Sequence, residues 1–384
     1  MTTMPGVRRR EGRTSRRPEQ FSPDMQVKRD EFAALAAEPY RGITTGAAVV
    51  PDLFPLRSTG IDLSSIRNAA LEYLAALAPA EAAASRFPMG DETWRHWANP
   101  AQYFLRHGQL LEDLDEAQRH KALKVVRCTL SEPGYQHVVD SMHLGRTIGE
   151  IVGDLDNFNE WLFWLSIYGS PEGDGPWGWQ LDGHHLNINC VIVGDQLVLT
   201  PSFAGAEPVF AAAGKYSGTR VLAAEESQGL VLFRSLRPGQ RNVARIADEL
   251  PPELFAGAFR DNLELSYHGI ALPELDEDQR AAALDLIGVY VNRVRHDYAP
   301  LRMEEVRRHA DDTHFAWAGG SGPDSVFYYR VHSPVILIEF DHQRGVLLDN
   351  DKPERIHIHT VVRTPNGNDY GADLLRQHHE RFHS

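Results

Sequence analysis

The chain has 384 residues, 42% of them hydrophobic and 24% charged, a globular composition with enough apolar side chain for a sizeable core. Its 53 acidic against 39 basic residues give a net charge of −14, which argues against nucleic acid or an anionic membrane as the main partner. The two cysteines, Cys128 and Cys190, form neither a disulfide framework nor a Cys-x-x-Cys metal pair, so a reducing compartment is compatible.

Residues 1–24 are basic, proline-containing and nearly devoid of large apolar side chains, and are expected to be a disordered tail. The arginines resemble the start of an export signal, but Met25–Ala37, MQVKRDEFAALAA, is a charged amphipathic helix pattern rather than an apolar segment. No run of about 18 apolar residues occurs, so no transmembrane helix is expected and the default is a soluble cytoplasmic protein. Residues 25–384 are read as one α+β domain, helical over 25–170 and sheet-containing over 171–384.

Helix signals dominate the first part. Residues 64–86 carry Leu71, Leu74 and Leu77 at helical spacing, and Phe87–Pro100 is an aromatic loop in which Trp94 and Trp97 read as core anchors. Residues 116–130 form the next helix, and Ser131–Gly145 another, opened by Ser131 as N-cap with Pro133 in the first turn. Residues 158–167 form a short run that must be buried. From Trp177 the texture changes to strands, WGWQLD, HLNINCVIV and QLVLTP, with Gly194 and Asp195 as a hairpin signal. Helices return at 224–236, 239–250 and 276–296. The last third gives HFAWAG, VFYYRVH and VILIEFD, strands with short connections that predict an antiparallel meander. No internal repeat is evident. The expected fold is a helical N-terminal half packed on a mostly antiparallel sheet.

Chemistry concentrates in Ile356–His379, IHIHTVVRTPNGNDYGADLLRQHH. On a strand the period of two puts His357, His359 and Arg363 on one face and Ile356, Ile358, Thr360 and Val362 on the other. A helix starting near Tyr370 then carries His378 and His379. Upstream, His184 and His185 head a second strand whose alternation groups His185 with Asn187 and Asn189 and leaves His184 with Leu186 and Ile188. Between these segments Arg330, Glu339 and Asp341 occupy positions where a core strand should be apolar, at a cost of several kcal/mol (about 3–5 for an unpaired buried charge) unless they are paired or bind metal. An edge strand with solvated charges is the competing reading.

The stretches WGWQLDGHHLNIN, TPSFAGAEP, FAWAG, YYRVHSPVILIEFDH and IHIHTVVRTPNGNDYGADLLRQH resemble the bacterial and fungal family catalogued as domain of unknown function 3500. The resemblance covers nearly the whole chain after the tail and brings no activity with it. It implies that His184, His185, Glu339, His357, His359, Arg363, Asp369, Asp373 and His378 match the family pattern, and it favours His378 over His379.

These residue types point to a divalent transition metal, Zn, Cu or Fe, held by imidazoles from His185, His357 and His359, with His378 or His184 as further candidates. Glu339 or Asp369 would serve as general base or as partner to a histidine, and Arg330 or Arg363 would clamp an anionic substrate group. The expected function is a metal-dependent enzyme acting on a small polar molecule, provisionally a hydrolase. A Cu- or Fe-dependent oxidoreductase and a non-catalytic metal-binding protein are the alternatives. Nothing resembles a nucleophile elbow, a phosphate-cradling glycine loop or a dinucleotide fingerprint.

Overall fold

The computed structural model describes residues 6–7 and 17–382. Most of the segment read as a tail therefore lies outside the described residues. Of its remainder, Pro18–Gln20 forms a 3-10 turn and Phe21 is buried against Phe104. Ser22 then accepts the Met25 N–H and, with Pro23 at the first position, opens α1 (Pro23–Ala36). The helix expected over 64–86 is two helices, α2 (Ser64–Leu74) and α3 (Pro79–Ser85), because Pro79 has no N–H to continue the first and is accommodated only as the start of the second.

From α2 onward the same series of elements occurs twice. The first series is α2, α3, β1 (Arg86–Phe87), β2 (Gln109–Leu110), α4 (Glu116–Thr129), α5 (Glu132–Val152), β3 (Phe163–Gly169), β4 (Trp177–Gly183), β5 (Leu186–Val193), with β6 (Gln196–Val198) as an addition, and β7 (Ser202–Ala206). The second is α6 (Ala223–Ser235), α7 (Pro238–Ala244), β8 (Arg245–Ala247), β9 (Ile270–Ala271), α8 (Glu277–Val291), α9 (Ala299–Arg308), β10 (His314–Gly319), β11 (Phe327–His332), β12 (Leu337–Gln343) and β13 (Glu354–Arg363), followed by α10 (Ala372–Phe382). The sheet order, β1-β3-β4-β5-β7-β13-β12-β11-β10-β8, is palindromic under this pairing. Its outermost pairs, β1 with β3 and β8 with β10, are parallel, while the other pairs are antiparallel, including the central β7–β13. This order, with an antiparallel pair at its centre, is the topology of two halves related about an axis between β7 and β13.

This overturns the expectation that no repeat is present. The identities that survive are local: His107-Gly108 to Arg119, HGQLLEDLDEAQR, against His268-Gly269 to Arg280, HGIALPELDEDQR. Gly108 and Gly269 share φ of +92°, and a Cβ on either would strike the neighbouring strand, at 2.3 Å from Ser166 Oγ and 2.1 Å from the Phe315 carbonyl. Asp115 with Gln118 and Asp276 with Gln279 form the same reciprocal cap on α4 and α8. Elsewhere the position is kept and the chemistry exchanged. The cross-strand pair Gln180–Asn189 becomes Arg330–Glu339.

The expectation of a helical N-terminal half holds in part: α1 to α5 precede residue 170, but β1 to β3 lie there too, and α6 to α9 belong to the second half. Helices of both halves cover one face of the sheet, burying Trp179, Leu186, Ile188, Trp317, Phe340 and Ile358. The other face is covered by loops carrying Trp94, Trp97, Leu254 and Leu265, by Tyr370 in the turn before α10 and by Leu374 in its first turn. On that face Trp94 and Trp97 are core anchors, as read.

Candidate metal centre

β13 alternates as its sequence requires. Ile358 and Val362 pack on the helix side, while His357, His359 and Arg363 turn to the loop side with Val361. Its antiparallel partner β7 sets Gly205 opposite His359, and β5, on the far side of β7, is preceded by His185. His185 is not in regular strand. Its φ of +64° is left-handed, held by its carbonyl accepting the Gly205 N–H at 2.7 Å and its N–H donating to the Asn99 carbonyl at 3.4 Å. That turn brings its ring to the pair on β13.

The three Nε2 atoms converge. His357 Nε2 lies 3.0 Å from His359 Nε2 and 3.3 Å from His185 Nε2, and the three rings form a group whose ligand atoms all lie within 4.8 Å of one another. Nitrogens bound to one ion at about 2.0–2.1 Å stand about 2.9–3.4 Å apart, depending on the bond angle. His357 Nδ1 donates to the Arg344 carbonyl at 2.7 Å, which leaves its Nε2 lone pair facing the group. Burial shifts all three rings toward the neutral form, most strongly His185 and His359. For His185 and His359 the neighbouring imidazoles add to this, while Glu207 and the Arg344 carbonyl oppose it at His357. Neutral imidazole is the form that ligates metal.

The group forms part of the wall of a cavity of about 1060 Å³, between the loop side of the sheet, α1 and the segments around Asn99, Leu254 and Arg344. Glu207 shapes one wall, accepting backbone N–H groups of Val346, Leu347 and Leu348 and so tying that segment down. Asn99 sets its Nδ2 3.4 Å from His359 Nε2, and its Oδ1 has no hydrogen-bond partner among the described residues. Neither Asn99 nor Arg344 was singled out by sequence. Both act through loop positions that no periodicity marks.

The other candidates are brought elsewhere. His184 lines the cavity, stacked on His185 at 3.9 Å and edge-on to Phe158, outside the converging group. His378 is on α10, ring to ring with Phe382, and does not reach the group: α10 packs at the β5 end of the loop face, where Leu374 lines a different, smaller cavity. Arg363 is fully buried between Asp369 (2.7 Å) and Asp261 (2.5 Å), a charge network that anchors the entry to α10. Asp369 also accepts the Thr364 N–H, and although burial raises its pKa, Arg363 draws it back. Glu339 accepts from Tyr328 and from the backbone of Phe255 and Ala256. Arg330 donates to His268 at 3.1 Å. Arg330, Glu339 and Arg363 share the loop face with the histidines, on central rather than edge strands, and Asp369 sits in the turn before α10; none of the four lines the cavity. They hold loops to the sheet.

Among the described residues the centre occurs once. Trp177 stands opposite Gly169 as Phe327 stands opposite Gly319, an offset of 327 − 177 = 150, which sets Val335 at the place of His185. The group takes one ring from the first half and two from the second.

Fold and site together define a mixed α+β protein with a mostly antiparallel sheet and a three-histidine group, His185 and His357 buried and His359 partly so, able to hold a metal ion. The family model described as "Protein of unknown function (DUF3500)" matches residues 59–372, and the chain belongs to that family. No curated protein and no solved structure matches it.

Proposed function

We propose that the protein is a metal-dependent enzyme that binds one divalent transition ion through Nε2 of His185, His357 and His359 and acts on a small molecule in the adjoining cavity. The observation that carries this is the convergence at 3.0 and 3.3 Å. The single lone pair of His357 Nε2 cannot accept a hydrogen bond from both neighbours, whereas one cation satisfies all three rings. Three neutral ligands leave the full charge of the ion on its remaining positions, and a bound water there is acidified toward pH 7. Hydrolysis or hydration of a polar bond is the reaction class this favours, with Asn99 beside the open side of the group as a hydrogen-bonding residue.

A copper or iron oxidoreductase is the second reading. It is favoured by one observation, that Glu339 and Asp369 are engaged in structural hydrogen bonds and do not line the cavity, which removes the bases that a hydrolase was expected to use. Elemental analysis with EPR separates the two: zinc without a signal supports hydrolysis, EPR-active copper or iron supports oxidation. A sequestering protein needs no large cavity beside its ion. No helix among the described residues is long and apolar enough to cross a membrane, and the charge of −14 keeps nucleic acid out of this reading.

A further inference from the structure

The walls around the histidine group are more aromatic than a site for a small, wholly polar molecule requires. Phe203 lies 5.3 Å from the His359 ring and Phe158 5.7 Å from the His184 ring. Farther out, Phe32 of α1 stacks on Phe259 at 4.4 Å and meets Phe104 edge-on at 5.3 Å. All five line the same cavity, and four of them, Phe104, Phe158, Phe203 and Phe259, are buried. Rings in such numbers beside an open cavity supply apolar contact surface for a flat ligand. The histidine group supplies the opposite. With three neutral donors, a divalent ion keeps its charge and prefers an anionic oxygen in an open position, and Asn99, whose Nδ2 donor lies 3.4 Å from His359 Nε2, stands where it could donate to such an oxygen.

Resting on the metal reading above, we infer that the ligand of this cavity is an aromatic or similarly flat apolar molecule carrying an anionic oxygen donor, such as a carboxylate or phenolate. The oxygen is held at the histidine group and the body lies along the phenylalanines. This departs from the small polar substrate expected from sequence.

The test uses full-length protein loaded with Co2+, whose visible spectrum reports ligand exchange, titrated with benzoate and with acetate. The two probes share the carboxylate and differ in the ring. Benzoate should bind about 30-fold more tightly than acetate, the ratio for withdrawing roughly one ring of apolar surface from water. Phe203→Leu and Phe158→Leu keep apolar bulk at these places. Each should reduce that ratio several-fold while leaving Co2+ content at the native level. Equal affinities for the two probes on a protein that holds its Co2+ would overturn the inference and leave the metal reading standing. A ratio unchanged in both leucine variants would equally overturn it. A native protein that takes up no Co2+ would remove both.

Discussion

Replacing Gly205 by alanine perturbs the histidine group without removing a ligand. The glycine is opposite His359 in the β7–β13 ladder, and a Cβ there would lie 2.8 Å from His359 Cδ2, 2.9 Å from the Ile358 carbonyl oxygen and 3.2 Å from His185 Cδ2. Carbon contacts settle at about 3.5–4.0 Å, so one ring must retreat by about 0.7 Å, and the Ile358 carbonyl belongs to a central strand that yields less readily. Overpacking of this kind costs about 1–3 kcal/mol of stability. Metal ligation is less forgiving, since ligand distances hold within about ±0.2 Å of their ideal values. Gly205→Ala is therefore expected to lower the melting temperature of the metal-free protein moderately and to weaken metal binding by about 10–100-fold, the range seen when the surroundings of a ligand are disturbed. Thermal denaturation by circular dichroism gives the first quantity, and competition for Zn2+ against a chromogenic chelator the second. Native metal affinity in a folded Gly205→Ala protein would refute the assignment of these two rings to one ion.

Three further outcomes follow from the same geometry. Arg363→Met should cost about 3–5 kcal/mol in chemical denaturation, because it leaves Asp261 and Asp369 buried without their shared partner; a loss under 1 kcal/mol (about the value of an exposed pair) would show that the network is not structural. Burial depresses the His107 pKa from 6.5 to about 4, so the unfolded chain takes up a proton in this window before the folded one does. Its contribution is intact above pH 6.5 and is lost as pH falls to 4, about 3 kcal/mol at most, and His107→Gln should show a flatter decline of stability over that window; parallel curves would count against it. Removing residues 1–38 deletes α1, in which only Ala36 is buried, together with Phe21, which packs on Phe104, and should cost about 1.5–3 kcal/mol of stability while raising the access of solutes to the cavity, read as faster quenching of the Co2+ spectrum by a chelator.

The strands that carry the site were legible because their side-chain period is local. Alternation in β13 alone separates His357 and His359 from Ile358 and Val362, and the polar positions of β11 and β12 do share that face. The grouping of His185 with the β13 pair was also legible, though for an incomplete reason: alternation was applied to a residue whose left-handed backbone depends on Asn99 and Gly205. What could not be read locally depends on distant partners. Arg363 has the residue type of a substrate clamp, but Asp261, 102 positions earlier, neutralises it together with Asp369. Glu339 has the residue type of a base, and two N–H groups of a loop 83–84 positions away consume it. His378 was assigned by proximity in sequence, whereas α10 leaves β13 through a turn at Asn366 and Gly367, both with positive φ, and packs away from the cluster. The repeat escaped notice for a related reason. Packing conserves position and volume more than identity, so little beyond the turn and cap around Gly108 and Gly269, and single positions such as Gly169 and Gly319, kept recognisable residues.

Metal stoichiometry in the native protein and in two single variants bears most directly on the three-histidine centre. Protein stripped of metal and titrated with Co2+ is expected to bind one equivalent with a ligand-field spectrum of nitrogen donors, and His357→Ala and His359→Ala are each expected to lose that equivalent while keeping the far-UV circular dichroism of the native fold. Full stoichiometry in both variants, or none in the native protein, would contradict the account.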